Sequence, residues 1–252
     1  MTIAIPSLPP ARFQLRRIAG GDEATLAPER PGEPSRLLAA LVRDEAGAPV
    51  DIGAMLAAVH DRLLAQVYRA EIGDTASCRA TCASCDQPFE FALDLAELIA
   101  AQDREAALAG TPDADGYWAV ESVQMRAPTI ADAATREPNS LFAALCISPP
   151  EPEHHASLSA FLERAAPLLA LDLDATCPHC QAEQQLGFDL PRFLVRAIGN
   201  ERPFLIRETH LIAARYGWSH AEIMALPRDD RRAYAALIES ERGAALRQRA
   251  TG

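Results

Sequence analysis

Four cysteines of this chain occur as two C-x-x-C pairs, and they are the residues best suited to chemistry. The first pair is Cys82 and Cys85, and the second pair is Cys177 and Cys180. Two residues between paired cysteines is the spacing of a zinc knuckle, in which a tight turn directs both sulfurs to one point. Each pair supplies two thiolates, and a tetrahedral ion takes four. We therefore expect the two pairs to meet around one structural Zn²⁺ ion.

The segments that begin at the two cysteine pairs resemble each other, and we call them the first arm (82–99) and the second arm (177–194). Their matched positions are 95 residues apart: Cys82 and Cys177, Cys85 and Cys180, Asp94 and Asp189, Leu95 and Leu190, and Ile99 and Leu194. In each arm an alternating apolar run after the cysteines predicts a β-strand, and a helical pattern follows the strand. This shared register argues against a chance pairing of cysteines.

Other interpretations of the cysteines stay open. A C-x-x-C pair can also be a redox pair, or two core cysteines without a metal. A thioredoxin-like site would need only one pair, with a strand before it and a helix directly after it. Cys78 is an alternative ligand, although a half-buried strand cysteine is the simpler interpretation. His179, inside the second pair, is a further alternative ligand.

The hydrophobic pattern around the arms predicts an α+β fold. We expect a zinc-ribbon-like pair of knuckles with β-hairpins and surrounding helices, followed by an all-helical C-terminal segment. The expected division is an N-terminal helical segment (1–74), a knuckle-containing α+β body (75–199) and a C-terminal helical hairpin (200–252). The long stretch between the two arms would be an insertion in the body.

Two local patterns outside the arms lead to specific expectations. Apolar residues from Ile52 to Val67 recur at helical spacing, and Asp61 and Arg62 lie within this stretch. We expect these two residues to form an ion pair on the solvated side of the helix. Residues 118–125 have an alternating pattern and are predicted to form one strand.

The C-terminal segment has aromatic residues near a predicted corner between helices. A helix is expected to end at Gly217 in a left-handed C-cap, and Ser219 with Glu222 forms a capping box for the next helix. The candidate residues for partner binding or for packing in this corner are Tyr216, Trp218, Ile223, Leu226 and Tyr234. Aromatic anchors are enriched at protein interfaces, but Trp218 is better suited to the intramolecular core.

The composition limits the class of protein. The chain has 252 residues and a net charge of −11, which argues against a nucleic-acid partner because phosphate binding needs concentrated Lys and Arg. No apolar run is long enough to span a membrane, so no membrane partner is expected. The N-terminus lacks a basic start and is interrupted by prolines, so we do not expect a signal peptide. A reducing cytosol, in which cysteines bind metals more often than they form disulfides, is the expected location.

No catalytic residues are predicted. The sequence lacks an H-E-x-x-H zinc-protease motif and a G-x-S-x-G nucleophile motif. A zinc ion bound by four sulfurs has no open position for water. We therefore expect a protein that is not an enzyme and has no small-molecule substrate.

Short sequence pieces recur along the chain in an order that resembles a known family. Besides the two arms, the pieces are Gly21-Asp22-Glu23, Asp61-Arg62-Leu63-Leu64, Arg126-Ala127-Pro128-Thr129 and the C-terminal run from His210 to Tyr234. Over roughly residues 12–240 their order resembles the T4-type baseplate hub assembly chaperone family of contractile-tailed phages and related injection systems. The zinc prediction rests on the cysteines and not on this resemblance.

The resemblance implies a non-enzymatic protein that is needed to build a baseplate hub. Its implied partners are hub or spike proteins of a contractile tail, which it would bind in the bacterial cytosol during assembly. Whether such a protein is retained in the assembled baseplate stays open. The alternative class is a zinc-ribbon nucleic-acid-binding or regulatory protein, which would need a basic face that this sequence hardly offers.

Overall fold

The computed structural model describes residues 1–134 and 138–250, in which the chain forms two compact units. Unit 1 comprises Met1–Leu15 and Val42–Pro191, and unit 2 comprises Arg16–Leu41 and Arg192–Gly252. Each unit is therefore assembled from two separate stretches of chain. The three-part division expected from the sequence stays a prediction.

The strands of unit 1 form two-stranded antiparallel sheets, each made of strands that are consecutive along the chain. The strands are β1 (Thr2–Ile3), β2 (Ala11–Arg12), β3 (Gln14–Leu15), β4 (Val42–Arg43), β5 (Thr75–Thr81), β6 (Pro88–Asp94), β7 (Tyr117–Val120), β8 (Val123–Arg126), β9 (Ala170–Thr176) and β10 (Glu183–Asp189). The two long hairpins, β5–β6 and β9–β10, contain the cysteine pairs at their turns.

The helices make up much of the rest of the described chain. They are α1 (Gly20–Thr25), α2 (Glu33–Leu41), α3 (Ala57–Glu71), α4 (Leu95–Leu108), α5 (Ile130–Ala133), α6 (Pro138–Leu145), α7 (His155–Ala165), α8 (Leu190–Asn200), α9 (Arg202–Tyr216), α10 (His220–Ala225) and α11 (Arg228–Ala250). Helices α3 to α7 belong to unit 1. Among the residues described, no helix is both long enough and apolar enough to cross a membrane.

The predicted α+β class is confirmed, with β-hairpins at the cysteine pairs and an all-helical C-terminal segment. Helix α9 ends at Gly217, which has a left-handed φ of 69° that favours glycine. The capping box before α10 is also present, because the Ser219 hydroxyl accepts from the backbone N–H of Glu222. These local signals set the boundaries of the C-terminal helices.

The single strand expected over residues 118–125 is wrong in one respect. The structure has two strands there, β7 and β8, which pair with Val120 opposite Val123. Glu121 lies in the turn between them with a φ of 54°. The turn contains neither glycine nor proline, the residues that usually mark such turns, so the sequence pattern did not reveal it.

The solvated ion pair expected at Asp61 and Arg62 is also wrong, because both side chains are buried in unit 1. Twelve of the fifteen residues of helix α3 are buried, so the helix has hardly any solvated side. Asp61 accepts a hydrogen bond from the backbone N–H of Leu169, and Arg62 donates to Asp103 on α4. Burial of these charges is possible because each has a polar partner.

Unit 2 has its own buried ion pairs. The Arg231 guanidinium of α11 donates to Glu208 of α9 at 2.7 Å and to Glu23 of α1 at 2.6 Å. An apolar cluster around Ile212, Ile223 and Ile238 completes this interior. Three helices of unit 2 are therefore joined through one arginine.

Candidate metal centre

Each cysteine pair lies in a tight turn that closes a hairpin. In the first arm the N–H of Cys82 donates to the carbonyl of Gln87 at 3.0 Å, and the N–H of Asp86 donates to the carbonyl of Cys82 at 3.0 Å. Asp86 adopts a left-handed φ of 55°. This conformation reverses the chain directly after Cys85 and leaves both sulfurs on the same side of the turn.

The second arm repeats this geometry at positions 95 residues later. The N–H of Cys177 donates to the carbonyl of Ala182 at 2.9 Å, and the N–H of Gln181 donates to the carbonyl of Cys177 at 2.9 Å. Gln181 has a left-handed φ of 60°. The repeat seen in the sequence is thus a repeat of backbone structure, down to single hydrogen bonds.

The structure brings the four predicted cysteines together. Their sulfurs all lie within 4.8 Å of one another. The Sγ atoms of Cys82 and Cys180 are 3.6 Å apart, and those of Cys85 and Cys177 are 3.8 Å apart. Both close pairs join one arm to the other, so the cluster exists only because the two hairpins meet.

These separations fit a tetrahedral ion. A zinc–sulfur bond of about 2.3 Å places the sulfurs of a regular tetrahedron about 3.8 Å apart. The two measured close pairs agree with that value to within 0.2 Å. A donor set of four thiols at tetrahedral spacing suits zinc or iron. The residues present therefore fit a metal ion, with all four ligands supplied by this chain.

Burial divides the four ligands into an inner and an outer pair. Cys82 and Cys177 are fully buried and pack with Phe89 in a small apolar cluster. Cys85 is partly buried, and Cys180 is exposed. The first cysteine of each arm is therefore shielded from solvent, whereas the second lies nearer to it.

Backbone donors prepare the inner sulfur of the first arm to be a thiolate. The N–H groups of Cys85 and Ser84 point at the Cys82 sulfur and lower the pKa of this thiol to about 6. For Cys85, a hydrogen bond from the backbone of Gln87 lowers the pKa, but partial burial and the neighbouring sulfurs outweigh it and raise the pKa to about 12. Without a cation the four sulfurs cannot all ionise, because their charges would repel. A divalent ion would supply the compensating positive charge.

Helices α3 and α4 hold the second hairpin in place beside the first. Asp61 on α3 accepts from the backbone N–H of Leu169 at 2.9 Å, and Gln102 on α4 donates to the carbonyl of Leu168 at 2.8 Å. Residues 168 and 169 lead directly into strand β9.

The two helices are also joined to each other, because Arg62 on α3 donates to Asp103 on α4 at 2.8 Å. We call Asp61, Arg62, Gln102 and Asp103 the polar tether, and its position explains how arms so distant in sequence are aligned.

The alternative ligands lie outside the cluster. Cys78 is buried in strand β5 and faces Phe91 of β6 in the register. His179 is exposed, and its Nε2 donates to the carbonyl of Pro88 in the other arm at 3.3 Å. Among the residues described, the sulfur group contains neither of them. His179 instead adds a hydrogen bond between the two knuckles.

The five candidate partner-binding residues have different surroundings in unit 2. Tyr216 stacks on Trp218 with ring centroids 5.3 Å apart, and Tyr234 packs edge-on against Trp218 at 5.2 Å. Ile223 is fully buried, and Leu226 is partly buried at the C-cap of α10. Tyr216 is 38% exposed, which leaves it the most accessible of these three aromatic rings. Their role in partner binding stays a prediction.

Comparisons with protein-family models, with curated proteins and with solved structures found no match to this chain.

Sequence reasoning found the four cysteines but missed the polar tether. Asp61 and Leu169 are 108 residues apart, and no local pattern links them. The left-handed residues Asp86 and Gln181 were also missed, although their equivalent positions directly after the second cysteine of each arm were a usable signal. Asp is among the residues that adopt this conformation most readily, whereas Gln is not.

Proposed function

We propose that this chain is a non-enzymatic assembly protein of a contractile-tail baseplate hub, with a structural zinc ion that holds its two knuckle arms together. The observation that carries the metal part is the set of four sulfurs at tetrahedral spacing. Four thiolates fill a tetrahedral shell, so the ion would have no position for water or substrate. Its contribution would be folding free energy.

Zinc is proposed over iron because four-cysteine knuckles are common structural zinc sites. The test is native mass spectrometry of protein purified without added metal, combined with elemental analysis. One zinc per chain, removed by a strong chelator, would support the proposal. A red protein that contains one iron per chain would identify the ion as iron. A folded protein without metal would refute the metal site.

The baseplate role is supported by the order of the sequence pieces that resemble the baseplate hub assembly chaperone family. The charged residues of these pieces have structural partners within each unit. Asp61 and Arg62 belong to the polar tether, Arg126 pairs with Asp132 at 2.7 Å, and Glu23 pairs with Arg231. Residues that fix a fold are the ones that a family of binding proteins must share, so this placement is compatible with the resemblance.

Deletion of the gene in a cell that also encodes a contractile tail tests the baseplate role. We expect tails without baseplates, or free sheaths and tubes, in electron micrographs of the induced particles. Complementation with the wild-type gene should restore complete particles. Complementation with Cys78→Ser, which changes a cysteine outside the cluster, should restore them as well. Complete particles from the deletion strain would refute the assembly role and leave the metal result untouched.

The nucleic-acid-binding alternative receives no support from the charges around the cysteines. The two knuckle hairpins, residues 75–94 and 170–189, contain seven carboxylates and one arginine. Phosphate groups would be repelled by such a surface. The acidic knuckle region instead favours a protein partner, as the baseplate proposal requires.

A further inference from the structure

A groove of about 410 Å³ in unit 2 lies along helix α9. Six of its lining residues form one stripe on α9: Arg202, Leu205, Ile206, Thr209, His210 and Ala213. Met224 and His220 of α10 contribute to the opposite side. The stripe follows the i, i+3, i+4, i+7 spacing of a single helix face.

The length of the groove indicates an elongated occupant. The stripe covers eleven steps of helix from position 202 to position 213, which corresponds to about 16 Å. A docked helix of three turns has that length and places apolar anchors at i, i+4 and i+7.

The floor of the groove is apolar and open to solvent. Ile206 is 64% exposed, although it lies in the middle of a helix whose neighbouring Leu205 is buried. Met224, partly buried, is an adaptable side chain that suits a binding surface. Single exposed apolar residues are common on proteins, so the chemistry of the occupant has to be inferred from the charges.

The charges that line the groove are positive or neutral, on a chain with a net charge of −11. The lining residues include Arg202, His210 and His220 and no carboxylate. Among the residues described, the side chains of these three have no hydrogen bond or ion pair within the protein. A basic side chain without a partner beside an apolar floor complements an apolar peptide with carboxylates at its edges.

We propose that this groove, which we call the α9 groove, binds an acidic amphipathic helix of a partner protein. Apolar side chains of the partner would pack on Ile206 and Met224, its carboxylates would pair with Arg202, and the ring N–H groups of the two histidines would donate hydrogen bonds to it. This inference rests on the proposed function, since it assigns the surface with which an assembly protein would engage its client. It requires no contribution from the metal centre.

The test is selection from a yeast-displayed library of random 16-residue peptides on the purified full-length protein. We expect enriched sequences that place apolar residues at i, i+4 and i+7 and carry several Asp or Glu residues. The affinity of the enriched peptides is then measured by fluorescence anisotropy. Ile206→Asp and Arg202→Glu should each weaken binding by about tenfold or more, as for an interface anchor.

Matched controls separate this groove from general effects of charge or apolar surface. Leu237→Asp changes another exposed apolar residue in the middle of a helix, because Leu237 is 51% exposed in α11. Arg104→Glu makes the same charge change on an exposed residue of α4. Both controls should bind the peptides as the wild type does. Circular dichroism and metal content are measured for all four variants. Both should match the wild type, because every substituted side chain is exposed.

Several outcomes would overturn the inference. Basic or non-periodic peptides, binding that survives Ile206→Asp, or no enrichment at all would each contradict it. Self-association of the wild type that Ile206→Asp abolishes in sedimentation velocity would identify a second copy of the chain as the occupant instead. None of these results affects particle assembly in the deletion strain, so failure of the groove and failure of the baseplate role are distinguishable.

Discussion

At the scale of single residues, the four cysteines are chemically identical but differ in their surroundings. Cys82 is fully buried and accepts hydrogen bonds from backbone N–H groups, whereas Cys180 is exposed. Loss of a buried ligand leaves an incomplete shell in an apolar environment. Loss of an exposed ligand leaves a position that water can fill.

We therefore expect Cys82→Ser to abolish metal binding and to lower the melting temperature sharply, because a structural metal ion would contribute folding free energy. Cys180→Ser should retain the metal with weaker affinity. Both variants are measured by native mass spectrometry and by differential scanning calorimetry in metal-replete buffer. Cys78→Ser, which removes a buried cysteine outside the cluster, should keep one metal per chain. Unchanged melting of Cys82→Ser would contradict the structural role.

Glu33 in unit 2 makes stability depend on pH. Hydrogen bonds from Arg36, and further from the backbone N–H of Ala27, lower the pKa of this carboxyl from 4.5 to about 2. A lowered pKa in the folded state stabilises the protein above pH 4.5, and this contribution is lost as the pH falls towards 2. Glu33→Gln should therefore cost about 1–2 kcal/mol of unfolding free energy at pH 7, since Arg36 is partly exposed.

The difference in unfolding free energy between the wild type and Glu33→Gln should shrink between pH 4.5 and pH 2. Urea titrations of both proteins at several pH values measure this difference. Metal release in acid affects both proteins alike and cancels in the comparison. A difference that stays constant from pH 7 to pH 3 would show that the Glu33 carboxylate is not the source of the effect.

At the scale of elements, the polar tether determines whether the two hairpins face each other. Asp61→Ala removes the acceptor for the buried N–H of Leu169, at the entrance to strand β9. We expect a loss of about 1–3 kcal/mol in unfolding free energy, the cost of an unsatisfied buried donor. Metal affinity should fall as well, because the second hairpin would be less well positioned.

The matched control for this tether is Asp172→Ala, at an exposed position within β9. It removes a carboxylate from the same strand and should leave both stability and metal affinity nearly unchanged. A chelator competition assay gives the metal affinities, and chemical unfolding gives the stabilities. Equal behaviour of the two variants would mean that the tether does not position the second arm.

The elements also show which parts of the fold a sequence can predict. The cysteine turns, the helix that follows the strand of each arm and the caps at Gly217 and Ser219 depend on neighbouring residues, and local patterns predicted them. The burial of Asp61 depends on a partner 108 residues away, which no local pattern contains. The turn at Glu121 was missed because its left-handed residue is not a glycine, the residue type that would signal this conformation in a sequence.

At the scale of the whole molecule, the metal centre and the core of unit 2 are built from different residues. The four cysteines belong to unit 1, whereas the apolar cluster around Ile212, Ile223 and Ile238 belongs to unit 2. Removal of the metal with a strong chelator should therefore abolish hydrogen-exchange protection in the two knuckle hairpins and preserve it in α9 and α11. Equal loss of protection in both units would indicate that the metal supports the entire chain.

The spacing of the two arms has a consequence for the time at which the metal is bound. The second cysteine pair is synthesised 95 residues after the first. At roughly 5–20 residues per second, the ribosome needs about 5–20 s to add that stretch. During this interval Cys82 and Cys85 are two thiols without their partners, open to oxidants and to competing metals. Correct loading of a metal at this centre would therefore depend on the rate of translation and on the metal pool that the nascent chain meets.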